Sequence, residues 1–201
     1  RGECVPYKRY GETVGAVLAE IHALDKAICE GMDRPRLQAA MKPGAARNAV
    51  DCALWDLEAK LTGRSVAAVL ELETPHPIVT AFTLSLAEPD AMAAAAAENS
   101  HRPLLKIKLG TSDDESRMRA VCRAAPDSII IVDANEGWTP ANLQRHLDIA
   151  TELGIALVEQ PLPAGDDAML ARITRSSVRI CADESVHATG DLASLRDRYD
   201  A

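Results

Sequence analysis

The chain has 201 residues, 47% of them hydrophobic, which is enough for one or two domains with a sizeable core. Its formal net charge of −8 argues against a nucleic-acid or anionic-membrane surface, and the sequence has neither a signal peptide nor an apolar run of transmembrane length. The five cysteines are scattered, with no Cys-x-x-Cys pair, which favours reduced thiols in a cytoplasmic protein.

The first part of the chain has the hydrophobic spacing of helices. Apolar residues recur every three or four positions over residues 12–30 and again over residues 45–62, and a glycine follows each segment directly. Pro75 and Pro77 then indicate a linker. We therefore expect a mainly helical first domain over residues 1–75.

From residue 76 the pattern changes to short apolar runs that alternate with helical segments. Five of these runs have the length and composition of buried strands. They are Ile78–Leu86, Leu104–Lys108, Ile129–Val132, Ile155–Val158 and Val178–Ala182. Strands that alternate with helices in this way are typical of a parallel sheet built from βα units.

The segments between the strands carry the start and stop signals of helices. In chain order these are Pro89 before an alanine-rich run, Ser112 and Glu115 as a capping box, Thr139 as an N-cap with Pro140 at the first position, and Gly154 past the end of that helix. Shorter helices are predicted over residues 166–175 and 191–198, and Tyr199 would begin a sixth strand.

Five βα units suggest part of a barrel, because a closed eight-unit barrel needs about 250 residues. An open doubly wound sheet is the alternative, but the sequence has neither the dinucleotide-binding glycine pattern nor a Walker motif. The first residues carry no start signal and the last break off within the pattern, so both ends look cut. We expect about half a barrel over residues 76–201.

Four charged residues recur at nearly one period along these units. Lys108, Asp133, Glu159 and Asp183 each end or directly follow a predicted strand, and they stand about 25 residues apart. The carboxyl ends of parallel strands meet at one rim of a barrel, where the chemistry of such barrels takes place. We therefore expect these four side chains to lie close together.

The three acids among them predict a metal site. Neighbouring carboxylates repel one another unless a cation lies between them, and hard oxygen ligands suit Mg²⁺. A single acid after a strand is more often a helix cap or a solvated loop residue. Three acids in register on consecutive units favour the metal.

Lys106 and Lys108 lie on one face of their strand because side chains alternate along it. Mutual repulsion and a nearby divalent cation both favour a neutral amine, so that one lysine could act as a base. The alternative is an edge strand whose lysines face water. Asn135 shares the face of Asp133 if that strand continues, and its role stays open between support of the site and a turn.

Several segments resemble those of the enolase superfamily, and specifically its muconate-lactonizing subgroup. They are Arg47–Lys60, Lys106–Lys108, Val132–Trp138, Val158–Pro163 and Cys181–Ser185. Within the subgroup, Thr80–Ser85 and Asp133–Trp138 look most like dipeptide epimerases of the L-Ala-D/L-Glu type.

The resemblance implies a fold in the α/β class: a partial (β/α)7β TIM-type barrel preceded by part of an α+β capping domain. Residues 1–75 would belong to the capping domain, and residues 76–201 would be the first five βα units of the barrel. In the family, a second acid/base lysine lies on the sixth strand and the carboxylates that bind the substrate amine lie near the last strand. A lid loop lies in the capping domain. These parts would fall outside the chain.

The resemblance also implies a set of site residues. One Mg²⁺ per active site would be held by Asp133, Glu159 and Asp183. Lys108 would be one acid/base, and Lys106 would assist electrostatically near the substrate carboxylate.

The function implied is that of an isomerase that removes the proton alpha to a carboxylate through an enolate intermediate. Its small-molecule substrate would be a dipeptide such as L-Ala-L-Glu, and neither nucleic acid nor a membrane would be a partner. Within the superfamily, a cycloisomerase or a dehydratase is the alternative. Outside it, the alternative is a non-catalytic fragment or interaction module, and homo-oligomerisation stays open.

Overall fold

The computed structural model describes residues 1–174 and 177–201. This described part divides into two units, Arg1–Pro77 and Ile78–Ala201. None of its helices combines the length and the apolar character that crossing a membrane requires.

The first unit consists of helices packed around one long helix. Its helices are α1 (Val14–His22), α2 (Asp25–Cys29), α3 (Arg34–Ala40), α4 (Ala45–Thr62) and α5 (Val66–Val69), preceded by a 3-10 turn at Lys8–Tyr10. Two small hydrophobic clusters hold α1 and α3 against α4, the first around Val17 and Ala46 and the second around Leu37 and Val50. Gly63 ends α4 with a φ of 65°, a left-handed conformation that favours glycine.

The helix predicted over residues 12–30 is wrong as a single element, because it is divided into α1 and α2. Ala23 and Leu24 separate the two helices, yet both keep right-handed helical dihedral angles. The apolar stripe therefore continues across the break, which hydrophobic spacing alone does not detect. Helices α3 and α5 are too short to produce a clear periodic signal, and they were not predicted.

The second unit is a five-stranded parallel sheet whose strands follow one another in chain order. The strands are β1 (Phe82–Leu84), β2 (Leu104–Lys108), β3 (Ile129–Asp133), β4 (Leu157–Glu159) and β5 (Arg179–Cys181). The helices are α6 (Pro89–Glu98), α7 (Asp114–Ala124), α8 (Leu143–Glu152) and α9 (Leu192–Leu195), with 3-10 turns at Ala168–Arg172 and Thr189–Asp191. Strands in unbroken chain order are those of a barrel, so the predicted α/β barrel class is confirmed and the doubly wound alternative is excluded.

The core of this unit lies on one face of the sheet. Leu105 and Ile107 of β2 are fully buried, as are Val132 of β3 and Val158 of β4. They pack in one hydrophobic cluster with apolar side chains of α6, α7 and α8. Each such side chain contributes about 1.5–3 kcal/mol on burial. The other face of the same strands carries the charged residues.

Several predicted boundaries in the second unit are wrong in detail. Strand β1 has only three residues of the predicted Ile78–Leu86. The capping box does not form, because Asp113 is the N-cap of α7 and makes no side-chain cap bond. Helix α8 begins at Leu143 instead of Pro140, because Thr139 starts a hydrogen-bonded turn before the helix.

The last predicted elements are partly correct. The segment 166–175 contains a 3-10 turn at Ala168–Arg172, and its predicted end at 175 lies outside the described residues. The helix predicted over 191–198 is shorter, at Leu192–Leu195. Residues 199–201 form no strand, but the N–H of Asp200 donates to the carbonyl of Ile180 at 2.7 Å, and Ala201 accepts from Ala182 at 2.9 Å. These bonds continue the pairing along the edge of β5.

Candidate functional site

The register of the sheet brings the predicted charged residues side by side. Lys108 of β2 pairs with Asp133 of β3, which pairs in turn with Glu159 of β4. Glu159 pairs with Cys181 of β5, and Asp183, which is exposed, follows two positions later in a loop. Because side chains alternate, Lys106 shares the face of Lys108. The strand ends therefore carry a row of two cations and two anions, with a third anion beside it.

Direct contacts join the row. The Nζ atom of Lys108 lies 2.6 Å from Oδ2 of Asp133, and the Nζ atom of Lys106 lies 2.9 Å from the same oxygen. Lys106 also donates to Oε2 of Glu159 at 2.6 Å. The Asp133 side chain is fully buried, whereas those of Lys106 and Lys108 are 20% and 35% exposed. The two lysines thus neutralise carboxylates that are largely removed from water.

The pKa values of these groups move in different directions. Burial raises the pKa of Asp133, but hydrogen bonds from Lys108, Lys106 and the Asn135 backbone outweigh it, so this pKa lies below its ordinary value. The pKa of Glu159 is raised, first by burial and also by the negative charges of Asp133 and Asp183, which outweigh the hydrogen bond from Lys106. Asp133 is therefore firmly ionised, and Glu159 needs more positive charge than its surroundings supply.

Lys106 is more firmly protonated than the sequence suggests. Burial lowers its pKa, but hydrogen bonds to Glu159 and Asp133 outweigh burial and raise the pKa above its ordinary value. The direction is opposite to that expected for two lysines beside a cation, because in this conformation two carboxylates contact the ammonium group.

The residues fit Mg²⁺ by the chemistry of their donors. Asp133, Glu159 and Asp183 offer hard carboxylate oxygens. Burial and the negative charges of Asp133 and Asp183 raise the pKa of Glu159, and a divalent cation beside it would favour its ionised form. Over residues 1–174 and 177–201, no three His, Cys, Asp or Glu side chains are grouped closely enough to hold a metal in this conformation. The Lys106 ammonium instead bridges Asp133 and Glu159.

Asn135 combines the two roles that the sequence left open. Its φ of 43° lies in the left-handed region, as in a turn, and its N–H donates to Oδ1 of Asp133 at 3.0 Å. Its side-chain oxygen accepts from Nζ of Lys108 at 3.0 Å, while its amide nitrogen donates to Oε1 of Glu184 at 3.4 Å. Asn135 therefore contacts both members of the Lys108–Asp133 pair.

A buried carboxylate holds the loops after β2 and β3 together. Asp114 is fully buried and accepts hydrogen bonds from the N–H groups of Gly110 and Thr111 and from Nε1 of Trp138, at 2.9–3.0 Å. Gly110 and Gly137 touch so closely that a Cβ atom on Gly137 would lie 2.3 Å from the Cα of Gly110. Trp138 is itself buried, so it packs in the core and also makes this polar contact.

Two buried polar residues of the site were not identified from the sequence. Gln160 follows Glu159 and is fully buried, and Glu184 follows Asp183 and is 9% exposed. In the sequence, their only signal is a polar side chain at a position where burial is expected, and this signal is weak without a structure. Ser185, in the same loop, donates to Oδ2 of Asp167 at 2.7 Å.

Two family descriptions match the chain. Residues 90–198 match the one described as Enolase C-terminal domain-like. Residues 2–71 match the one described as Mandelate racemase / muconate lactonizing enzyme, N-terminal domain.

Curated relatives match nearly the whole chain. The L-Ala-D/L-Glu epimerase of Escherichia coli (strain K12) is 42% identical over 201 residues, which cover 99% of this chain and 62% of that protein. The N-acetyl-D-glutamate racemase of Pseudoalteromonas sp is 43% identical over 199 residues, which cover 98% of this chain and 62% of that protein. The chain thus spans less than two thirds of the length of either relative.

Solved structures match the fold closely. An enolase family member from Agrobacterium tumefaciens, with homology to dipeptide epimerases and with bound sodium and L-Ala-L-Glu, is 62% identical with a TM-score of 0.94. The match covers 100% of this chain and 61% of that one. A dipeptide epimerase from Enterococcus faecalis V583, complexed with Mg and the dipeptide L-Leu-L-Tyr, is 29% identical with a TM-score of 0.88 over 99% of this chain and 60% of that one.

Proposed function

This chain belongs to the enolase superfamily, and we propose that the complete protein is an isomerase that epimerises a dipeptide such as L-Ala-L-Glu. The observation that carries the proposal is the row of Lys108, Asp133 and Glu159, paired across three neighbouring strand ends. A base beside clustered carboxylates is the arrangement needed to remove a proton next to a carboxylate group. The 42% identity to an L-Ala-D/L-Glu epimerase supports the choice of substrate.

We assign the two units to the two parts of such an enzyme. Residues 1–75 are proposed as part of the capping domain, in keeping with the family match over residues 2–71. Residues 76–201 are proposed as the first five βα units of the barrel, in keeping with five parallel strands in chain order.

Asp133, Glu159 and Asp183 are proposed to hold one Mg²⁺ per active site. Their carboxylate oxygens suit this ion, and a divalent cation near Glu159 would favour the ionised form of this partly buried carboxylate. A relative complexed with Mg supports the choice of metal. When bound, Mg²⁺ stabilises negative charge that develops on the substrate carboxylate by several kcal/mol.

Lys108 is proposed to take the α-proton at its Nζ atom. The two contacts of this atom, with Asp133 and Asn135, hold it at the strand end on the same face as the carboxylates. A positioned base accelerates such a step by about 10²–10⁴-fold, so further stabilisation of charge is needed. The Lys106 ammonium supplies part of it, because its raised pKa keeps it charged.

Racemisation of an N-acylated glutamate is the second candidate. The specific observation in its favour is the 43% identity to an N-acetyl-D-glutamate racemase, as high as the identity to the epimerase. The same lysine and carboxylates serve both reactions, because both remove the proton next to a carboxylate.

Exchange of the substrate α-proton in D₂O distinguishes epimerisation of a dipeptide from racemisation of an N-acylated glutamate. The complete protein with Mg²⁺ is mixed separately with L-Ala-L-Glu and with N-acetyl-L-glutamate, and deuterium uptake is followed by NMR. We expect faster uptake into the dipeptide. Faster uptake into the N-acyl amino acid favours the second candidate, and uptake into neither overturns the proposed chemistry. The same mixtures without the protein are the control for exchange that does not depend on the site.

The remaining assignments concern partners and location. The partner is proposed to be the small-molecule substrate, with neither nucleic acid nor a membrane, and assembly with further copies of the chain is compatible with this proposal. A cytoplasmic location is proposed because none of the five cysteines, all within the described part, forms a disulfide.

A further inference from the structure

Gln160, which directly follows β4, has more hydrogen bonds and a less common backbone conformation than a residue at the end of a short strand needs. It is fully buried, and its φ of 36° lies in the left-handed region that residues with a side chain rarely adopt. Its N–H donates to the carbonyl of Cys181 at 2.9 Å, and its own carbonyl accepts from the N–H of Glu136 at 2.8 Å. An unfavourable backbone conformation persists only where the surroundings determine it.

The side-chain oxygen of Gln160 holds the loop after β5. It accepts hydrogen bonds from the N–H of Asp183 at 2.9 Å and from the N–H of Ser185 at 3.0 Å. Gln160 is also the chain neighbour of Glu159. The buried Gln160 side chain therefore links the end of β4, where Glu159 lies, to the backbone of Asp183.

The other end of the carboxamide is fixed in orientation. Its nitrogen donates to the hydroxyls of Ser185 and Tyr199, each at 2.8 Å, and both hydroxyls lie 2.7 Å from Oδ2 of Asp167. A carboxylate only accepts, so the hydroxyls donate to Asp167 and accept from Gln160. Burial raises the pKa of Asp167, but hydrogen bonds from Tyr199, Ser185 and Arg198 outweigh it and keep this group ionised. The carboxamide oxygen must then face Asp183.

We propose that Gln160 is a positioning residue that fixes the Asp183 backbone relative to Glu159 and thereby sets the affinity of the site for Mg²⁺. The inference rests on the proposed function, in which both carboxylates are ligands. Mg²⁺ demands near-ideal octahedral geometry, so the spacing of its ligands must be held by their neighbours. Without the Gln160 oxygen, the N–H groups of Asp183 and Ser185 lose their acceptor and the loop that carries Asp183 is released.

The test replaces Gln160 with Met in the complete protein, which keeps the length of the side chain and removes its hydrogen bonds. Titration calorimetry with MgCl₂ should give an affinity about 10–100-fold weaker than that of the unmodified protein. Without Mg²⁺, the amide hydrogens of Asp183 and Ser185 should exchange at least about tenfold faster. Gln144→Met is the matched control, because it makes the same substitution on α8, where the carboxamide nitrogen donates to Asp148 and not to the loop that carries Asp183. It should change neither quantity.

The outcomes separate this inference from the proposed function. If the unmodified protein binds Mg²⁺ and Gln160→Met binds it equally well, the inference is overturned and the metal site stands. If the unmodified protein binds no Mg²⁺, the proposed metal site and its tuning by Gln160 fall together. Should the Met variant not fold, the unmodified protein without Mg²⁺ decides the question. The inference requires the amide hydrogens of Asp183 and Ser185 to be protected there, and exchange of both at the rate of an unfolded chain overturns it.

Discussion

The Nζ atom of Lys106 lies 2.6 Å from Oε2 of Glu159, although 53 residues separate the two in the chain. The contact places a positive charge, the Lys106 ammonium, beside the partly buried carboxylate of Glu159. A cation that binds Glu159 must compete with this ammonium for the same oxygen. The Lys106 ammonium therefore weakens the binding of the metal while it stabilises negative charge on the substrate.

Lys106→Met should separate these two effects. The variant removes the ammonium, which competes with Mg²⁺ for the carboxylates and repels it. We therefore expect titration calorimetry to show tighter binding of Mg²⁺. Turnover of the dipeptide should fall, because the developing negative charge loses its cation. A variant that binds Mg²⁺ more weakly than the unmodified protein would show that Lys106 supports the metal site instead of competing with it.

Glu159→Gln should weaken Mg²⁺ binding by at least about tenfold, because it keeps the shape of the side chain and removes one ligand charge. Titration calorimetry on the complete protein measures the change. Glu152→Gln is the matched control, since Glu152 is an exposed carboxylate that pairs with Arg119 away from the strand ends. Equal affinities in the Glu159 variant and the unmodified protein would remove Glu159 from the metal site.

Lys108→Ala should abolish exchange of the α-proton for one enantiomer at the reacting carbon and leave the other enantiomer with residual exchange. The reason is that Lys106 and Lys108 come from one strand, so the opposite proton needs a base from elsewhere. NMR in D₂O on the two diastereomers of L-Ala-Glu gives both rates. Normal exchange of both diastereomers in the variant contradicts the assignment of Lys108 as the base.

Gly137→Ala should destabilise the protein by about 1–3 kcal/mol, because the added Cβ meets the backbone of Gly110 and Ala134. Gly15→Ala is the control with the opposite sign. Gly15 lies within α1 in open space, so alanine there should stabilise by about 0.5–1 kcal/mol. The urea midpoints of the two variants measure both effects. If Gly137→Ala is as stable as the unmodified protein, the two loops do not touch in solution.

Cys122 should react slowly with iodoacetamide near neutral pH. Burial raises the pKa of its thiol to about 11, so at pH 8 only about one molecule in a thousand carries the reactive thiolate. Its rate should rise about tenfold for each pH unit below that pKa. Cys29, which is exposed, is the internal reference, and mass spectrometry of peptides follows both sites. Equal rates for the two thiols at pH 8 would contradict the burial of Cys122.

The sequence predicts the second unit well because each of its elements has a local signal. Lys108, Asp133 and Glu159 end short apolar runs, and parallel pairing then places them side by side without further information. The metal-site residues remain a prediction, since no three acids converge in the part of the chain that the structure describes. What the sequence does not reveal is the contact of Lys106 with two carboxylates, because side-chain contacts between strands have no local pattern.

The errors arise where a distant partner overrides a local preference. Ser112 and Glu115 have the spacing of a capping box, but Glu115 pairs with Arg119 and Arg145 instead. Asp114 takes the backbone donors of the preceding loop. Gln160 has only the weak signal of a polar side chain after a strand, because its partners lie elsewhere in the unit. Buried polar networks of this kind are set by tertiary structure, which no window of sequence contains.

The alternation along β2 has a consequence for how such a protein can change. Ile107 is fully buried and packs against the helices. Lys106 and Lys108, on either side of it, lie on the opposite face of the strand with the charged residues of the proposed site. A mutant library restricted to the even-numbered positions of this strand would vary the chemistry and leave the anchoring residue untouched. Selection can likewise alter the substrate through one set of positions and conserve the scaffold through the other, with no codon shared between the two tasks.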